Sequence, residues 1–194
     1  MREEFTREAG GRWHEGAQGE MMGMSSREWS RYMHERLQVP LEPEEISSRV
    51  AARIEERYRD QVPLLPGAVD AVRSLAARWP LGLASSANRP LIDLVLELTR
   101  MAPLFQATVS SEEVERGKPA PDVYLEAARR LGVEPRACAA VEDSTNGILA
   151  ARRAGMRVVG VPRPDFPPSD EAAASASAVI ASLGELEGAL GALA

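Results

Sequence analysis

The chain is poor in the residues that staple or metallate a protein. It has one cysteine, Cys138, in 194 residues. An intramolecular disulfide is therefore excluded, and a reducing compartment fits. Of its two histidines, His14 and His34, neither has a companion at metal-ligand spacing. Packing or surface roles suit both, although His14 beside Trp13 could line a cleft. No apolar run approaches the ~20 residues that cross a bilayer. The opening MREEFTREAGGRW is charged and lacks the apolar segment of a secretory signal. Basic residues are outnumbered, 23 against 29 acids, for a net charge of -6. A nucleic-acid partner wants the opposite balance. These absences predict a soluble cytoplasmic protein with no nucleic-acid or membrane partner. A phosphorylated small molecule stays open, because a bound cation or a local site can reverse the field.

What is present divides into two textures. Residues 1–62 read as helical. Ile46, Val50, Ile54 and Tyr58 recur every fourth residue, and Trp29, Tyr32 and Met33 form a second stripe. Phe5 and Trp13 read as mid-helix residues, and Met21, Met22 and Met24 as packing inside the helical part or lending it an adaptable contact face. From Pro63 to Ala194, short apolar runs alternate with helices. LGLAS (81–85), FQATVS (105–110), ACAAV (137–141), RVVGV (157–161) and AVIAS (178–182) are the expected strands. Asn88 and Ser144 stand where helix caps belong, Pro121 opens a helix, and Gly132 and Gly155 close two. The stretch 162–178, rich in Pro, Ala and Ser, reads as a loop. Cys138 reads as a small buried residue. Alternating strands and helices predict an α/β fold, a parallel sheet covered on both faces, with sites at the carboxyl ends of its strands.

Three strand ends carry polar residues. Ser85, Ser86 and Asn88 follow the first, where a helix N-terminus can hold an anion or where the residues serve only as caps. Lys118, in GKPAPDVY, follows the second. It is either a solvated charge or a point charge for a phosphoryl group. Glu142 and Asp143 follow the third. Paired carboxylates behind a buried strand suit magnesium, which takes one or two protein carboxylates with water and phosphate oxygens. They also suit the start of a helix. Each segment alone leaves both readings open, but all three together fit phosphoryl handling.

LGLASSAN, RGKPAPDVYLEAARRLG and VEDSTNGILAARRAGM resemble the second, third and fourth motifs of the haloacid dehalogenase-like hydrolases. The likeness is nearest to the group that includes beta-phosphoglucomutase and phosphoglycolate phosphatase. The segment GMSSREWSRYM resembles that family's helical cap. The resemblance implies a Rossmann-like core at 63–194 under a cap at 1–62. It further implies a magnesium-dependent phosphohydrolase acting on a small phosphorylated metabolite, such as a sugar phosphate, as a monomer or weak homodimer. By position, Ser85 would bond the transferring phosphoryl group and Lys118 would neutralise it. Asp143 would bind Mg2+, with Glu142 as a ligand or a support. Ser86, Asn88 and Arg27 would touch phosphate or substrate.

The family's first motif, Asp-x-Asp, supplies a nucleophile that becomes an aspartyl-phosphate, then a general acid and base. The 194 residues contain no Asp-x-Asp. The resemblance places that motif on a central strand ahead of the cap, so the natural protein is expected to be longer and this stretch alone inactive. Three activities follow as alternatives: a phosphatase, a sugar-phosphate mutase on the same scaffold, and a non-catalytic phosphate-binding protein.

Overall fold

A computed structural model describes residues 1–193. The first part is helical. Helices α1 (Arg2–Glu8), α2 (Ala17–Glu20), α3 (Ser26–Glu35) and α4 (Pro43–Asp60) enclose a core of their own. Phe5, Met21, Trp29, Met33, Leu37, Ile46 and Val50 are buried together there. Both helical stripes read from the sequence point inward, with Ile54 and Tyr32 half-buried at their margins. Trp13 departs from expectation. It lies in an irregular segment, because Gly10 takes φ +83° and the chain leaves α1 there. Helix α3 starts on a capping box in which Ser25 and Glu28 satisfy each other's backbone groups.

The remainder alternates. Helix α5 (Ala68–Ala76) leads to β1 (Gly82–Ser85), α6 (Arg89–Leu98) to β2 (Ala107–Ser110), and α7 (Asp122–Leu131) to β3 (Ala139–Glu142). Then come α8 (Thr145–Arg153), β4 (Arg157–Gly160), α9 (Asp170–Ser175), β5 (Ala178–Val179) and α10 (Leu186–Leu193). Among the described residues, all pairings between these strands are parallel. Among the described residues, β1 pairs with β2 only, and β3–β4–β5 form a separate sheet. One edge each of β1 and β3 thus pairs with no other described strand. Val141 on β3 is 40% exposed although its strand neighbour Ala140 is buried.

Two expectations are corrected. The stretch read as a loop contains α9. Ser169 caps it, Asp170 and Glu171 suit its first turn, and Ala172 is fully buried against the rest of the core. A run of alanine and serine looks like loop by composition, yet alanine is the best helix former once a cap starts the turn. Cys138 is only half-buried, since it precedes β3 at the end of a short 3-10 turn. Among the described residues, no helix is long and apolar enough to cross a membrane.

Ile148 on α8 is fully buried among Val109, Val123, Val158 and their neighbours. Ile148→Ala is expected to lower stability by about 2–5 kcal/mol, seen as a reduced urea midpoint with an unchanged slope.

Candidate active site

The carboxyl ends of β1 and β3 face one cavity of about 350 Å³. Leu83, Ala84, Ser85 and Ser86 line it from β1, Val141 to Ser144 from β3, and Lys118 from the loop ahead of α7. Met22 and Gly23 of the helical part close one side. Three segments that the sequence reading selected separately are therefore neighbours in space.

Lys118 is the hinge of this arrangement. Its Nζ donates to the Ala84 carbonyl on β1 at 3.2 Å, to Tyr124 Oη at 3.3 Å, and to Glu142 Oε1 on β3. All three ammonium protons are placed, and the side chain is buried. Tyr124 in turn donates to Glu142 Oε1, while Ser144 Oγ lies 3.2 Å from Oε2. Burial pushes the Glu142 carboxyl upward. The charge and hydrogen bond of Lys118, with those of Tyr124 and Ser144, overcome it, so Glu142 titrates below the ordinary glutamate range. Burial and the Glu142 charge hold the Tyr124 phenol well above its usual value. Tyr124 escaped the sequence reading. Its signal was its place on α7 with Ala127 and Ala128, three and four residues on, which sets a phenol on the inner face where it needs a partner.

Asp143 stands differently. It is half-buried at the cavity, and its nearest ion-pair partner is Arg163, 4.0 Å away. Burial, then the neighbouring Glu142 charge, raises its carboxyl, partly offset by Arg163 and Lys118. A carboxylate so placed gains from a cation. Among the described residues, no group of three acidic, histidine or cysteine side chains forms a metal cage. Magnesium needs none, since one or two carboxylates with waters and substrate oxygens hold it. Asp143 fits that role, and Glu142, with its oxygens taken by Lys118, Tyr124 and Ser144, fits the support of it.

The other sequence candidates separate. Ser85 Oγ accepts from the Ala87 amide at 3.1 Å, and no described residue takes its proton. Ser86 lines the cavity, but its hydroxyl donates to the Gly23 carbonyl at 2.7 Å. Asn88 lies outside the cavity lining, and its side chain caps α6 by accepting from Leu91 at 3.2 Å. Arg27 is exposed and lines a second cavity of about 350 Å³ with Arg31, Ser30 and Ser47. His14 lies outside both linings and pairs with Tyr32 Oη at 2.9 Å.

Removing Lys118 strands a buried carboxylate. Lys118→Ala is expected to cost about 3–5 kcal/mol, and adding Glu142→Gln should recover most of it. Because the folded Glu142 value is depressed, its contribution is complete above the ordinary glutamate range and is lost as pH falls through the folded value. Urea melts between neutral pH and pH about 3 should show this loss in the parent chain and a flatter profile in Glu142→Gln.

The sequence profile of the haloacid dehalogenase-like hydrolases matches residues 2–155. A probable pseudouridine-5'-phosphatase of Drosophila melanogaster is 38% identical over 175 residues, covering 87% of this chain and 74% of that protein. Hexitol phosphatase B of Escherichia coli is 39% identical over 123 residues, covering 63% of this chain and 55% of that protein. This chain thus spans about half the length of the second relative. Among solved structures, beta-phosphoglucomutase from Clostridium difficile superposes with a TM-score of 0.80 at 20% identity, covering 94% of this chain and 82% of that one. CbbY from Rhodobacter sphaeroides, solved with phosphate, gives 0.76 at 25% identity, covering 95% and 89%. The α/β architecture with parallel strands is the Rossmann-like fold of these neighbours. Family profile and relatives agree, and the chain belongs to the haloacid dehalogenase-like hydrolases.

Proposed function

We propose that this chain carries the phosphate- and magnesium-binding half of a phosphohydrolase for a small phosphorylated metabolite, a sugar phosphate or a related ester. The observation that carries the reading is the meeting of Ser85, Lys118 and Asp143 at one cavity, from the end of β1, the loop ahead of α7 and the end of β3. Relatives named for pseudouridine-5'-phosphate, hexitol phosphate and fructose-1-phosphate hydrolysis support the substrate class.

In this reading, the free Ser85 proton bonds a phosphoryl oxygen. Lys118 gives up one of its neutral acceptors, the Ala84 carbonyl or Tyr124 Oη, for a phosphoryl oxygen and offsets its charge. Electrostatic groups held in place before the reaction favour charge that develops during it. Asp143 would hold Mg2+, which supplies charge neutralisation at the transferring group, and Glu142 would keep Lys118 in place. Arg27 lines a separate cavity, so we leave it out of the site. Ser86 and Asn88 are already engaged, so we assign them to the frame around the ligand.

The 194 residues hold no Asp-x-Asp. We propose that the nucleophilic carboxylate, which would form the aspartyl-phosphate, enters on an extended strand between the free edges of β1 and β3. Without it, turnover by this route is expected to fall on the order of a million-fold, the scale seen when a covalent enzyme loses its nucleophile.

Two measurements test the reading. Titration of inorganic phosphate with Mg2+ into the 194-residue chain should show saturable binding, weakened about tenfold or more by Ser85→Ala or Asp143→Asn, each about one strong hydrogen bond or ion contact. Absence of binding would sink the site assignment. Joining a strand that ends in Asp-x-Asp ahead of Met1 should yield Mg2+-dependent phosphate release from sugar phosphates, and Asn-x-Asp should not. A joined chain that folds, binds phosphate and stays inert would defeat the catalytic part. Conversion of a sugar 1-phosphate to the 6-phosphate without phosphate release would identify a mutase.

A further inference from the structure

The Glu142 carboxylate sits in a seat with four sides. Lys118 Nζ and the Tyr124 hydroxyl both donate to Oε1. Ser144 is the third side: its Oγ donates to Oε2 at 3.2 Å and accepts from the Gly147 amide at 3.1 Å. The fourth side is Gly147, in the first turn of α8, which contributes no side chain at all. A Cβ at that position would fall inside the Glu142 carboxylate.

The backbone at 147 asks for no glycine. Its φ lies outside the left-handed region, and the residue belongs to a helix. In a helix glycine is worse than alanine, because it loses more chain entropy on folding. What glycine supplies here is clearance. An exposed glutamate would swing away from a new methyl group at little cost. Glu142 is only 8% exposed, and leaving its place breaks its bonds to Lys118, Tyr124 and Ser144 together.

We infer that Gly147 is a positioning residue: the space it leaves open holds Glu142 on Lys118 and thereby orders the lysine for an anion. Two adjacent carboxylates thus take different tasks. Glu142 is committed to the lysine, and Asp143, outside the seat, is left for a cation. A flexible lysine that must be immobilised on binding loses affinity, and one already fixed by Glu142 does not. The seat stands on the contacts alone, and only its effect on an anion rests on the proposed phosphate site.

Urea unfolding and phosphate titration of the 194-residue chain test the two parts. Replacing glycine by alanine in a helix ordinarily stabilises. Gly147→Ala is expected to lower the urea midpoint instead. In a Lys118→Met/Glu142→Ala background no carboxylate fills the seat, and apolar replacement of a buried pair commonly leaves a chain folded. There the same change should raise the midpoint, because the methyl enters vacated space. Gly147→Ala should also weaken binding of inorganic phosphate with Mg2+ about threefold to tenfold, the cost of ordering one long side chain. Ile148→Ala, next along α8 but buried in the core, lowers stability without touching the seat and should leave that affinity unchanged. If Gly147→Ala does not fold, folding of the triple variant under the same conditions supports the seat, and failure of both overturns it. A midpoint that rises with Gly147→Ala in the parent, or falls equally in both backgrounds, would overturn it too. Midpoints that reverse in sign while Gly147→Ala binds phosphate as the parent does would overturn the ordering of Lys118. Midpoints that reverse in a parent that binds no phosphate would uphold the seat and count against the phosphate site.

Discussion

The buried pair of Lys118 and Glu142 is the constraint on which the rest of this protein depends. Two charges removed from water are costly, and their attraction repays that only with good geometry and further hydrogen bonds. Tyr124, Ser144 and the Ala84 carbonyl supply those bonds. The pair also spans the two sheets. Among the described residues, no ladder hydrogen bond joins β1 to β3, yet the lysine reaches a carbonyl of one and a carboxylate of the other. A charge arrangement suited to phosphoryl chemistry thus doubles as the tie between two halves of a divided sheet.

The three segments lie far apart in sequence; parallel pairing orders the strand ends within each sheet, and Lys118 bridges the ends of the two sheets. Ser85 and Ser110 share a register position at the end of the first pair, and Glu142 and Gly160 at the end of the second. A strand's carboxyl end points where its loop goes, so register gathers polar ends on one side of the sheet. Helix packing holds them there: α7 buries Val123, Tyr124, Ala127 and Ala128, and α8 buries Ile148, Ala150 and Ala151. The local rules for caps and strands therefore do most of the work of assembling the cavity.

Much of this was legible in the amino-acid order. The 3.6-residue stripes of α3 and α4, the Asn88 and Ser144 caps, the Gly132 stop and four of the strands depend on neighbours within a few residues, where pattern and propensity decide. Ser85, Lys118, Glu142 and Asp143 could be selected because polar residues behind apolar strands are conspicuous. What escaped depends on distant partners. Whether Ser86 faces a ligand or the Gly23 carbonyl, 63 residues away, is a tertiary fact, as is the Asn146 bond to Met22 across 124 residues. Tyr124 was not singled out, because its role depends on Glu142, 18 residues away. Helix α9 was hidden because composition speaks of average behaviour, while a single serine cap and a buried alanine decide the local one.

The free edges of β1 and β3 carry a consequence for how this chain meets other chains. An unpaired strand edge is a template, and native proteins usually blunt theirs with charge, proline or a covering element. Here the cavity at the ends of β1 and β3 has Leu65, Leu83, Val141 and Val161 among its walls, beside the polar Ser85, Lys118, Glu142 and Asp143. A strand edge does not select by origin, so a neighbouring molecule at high concentration can pair with either one.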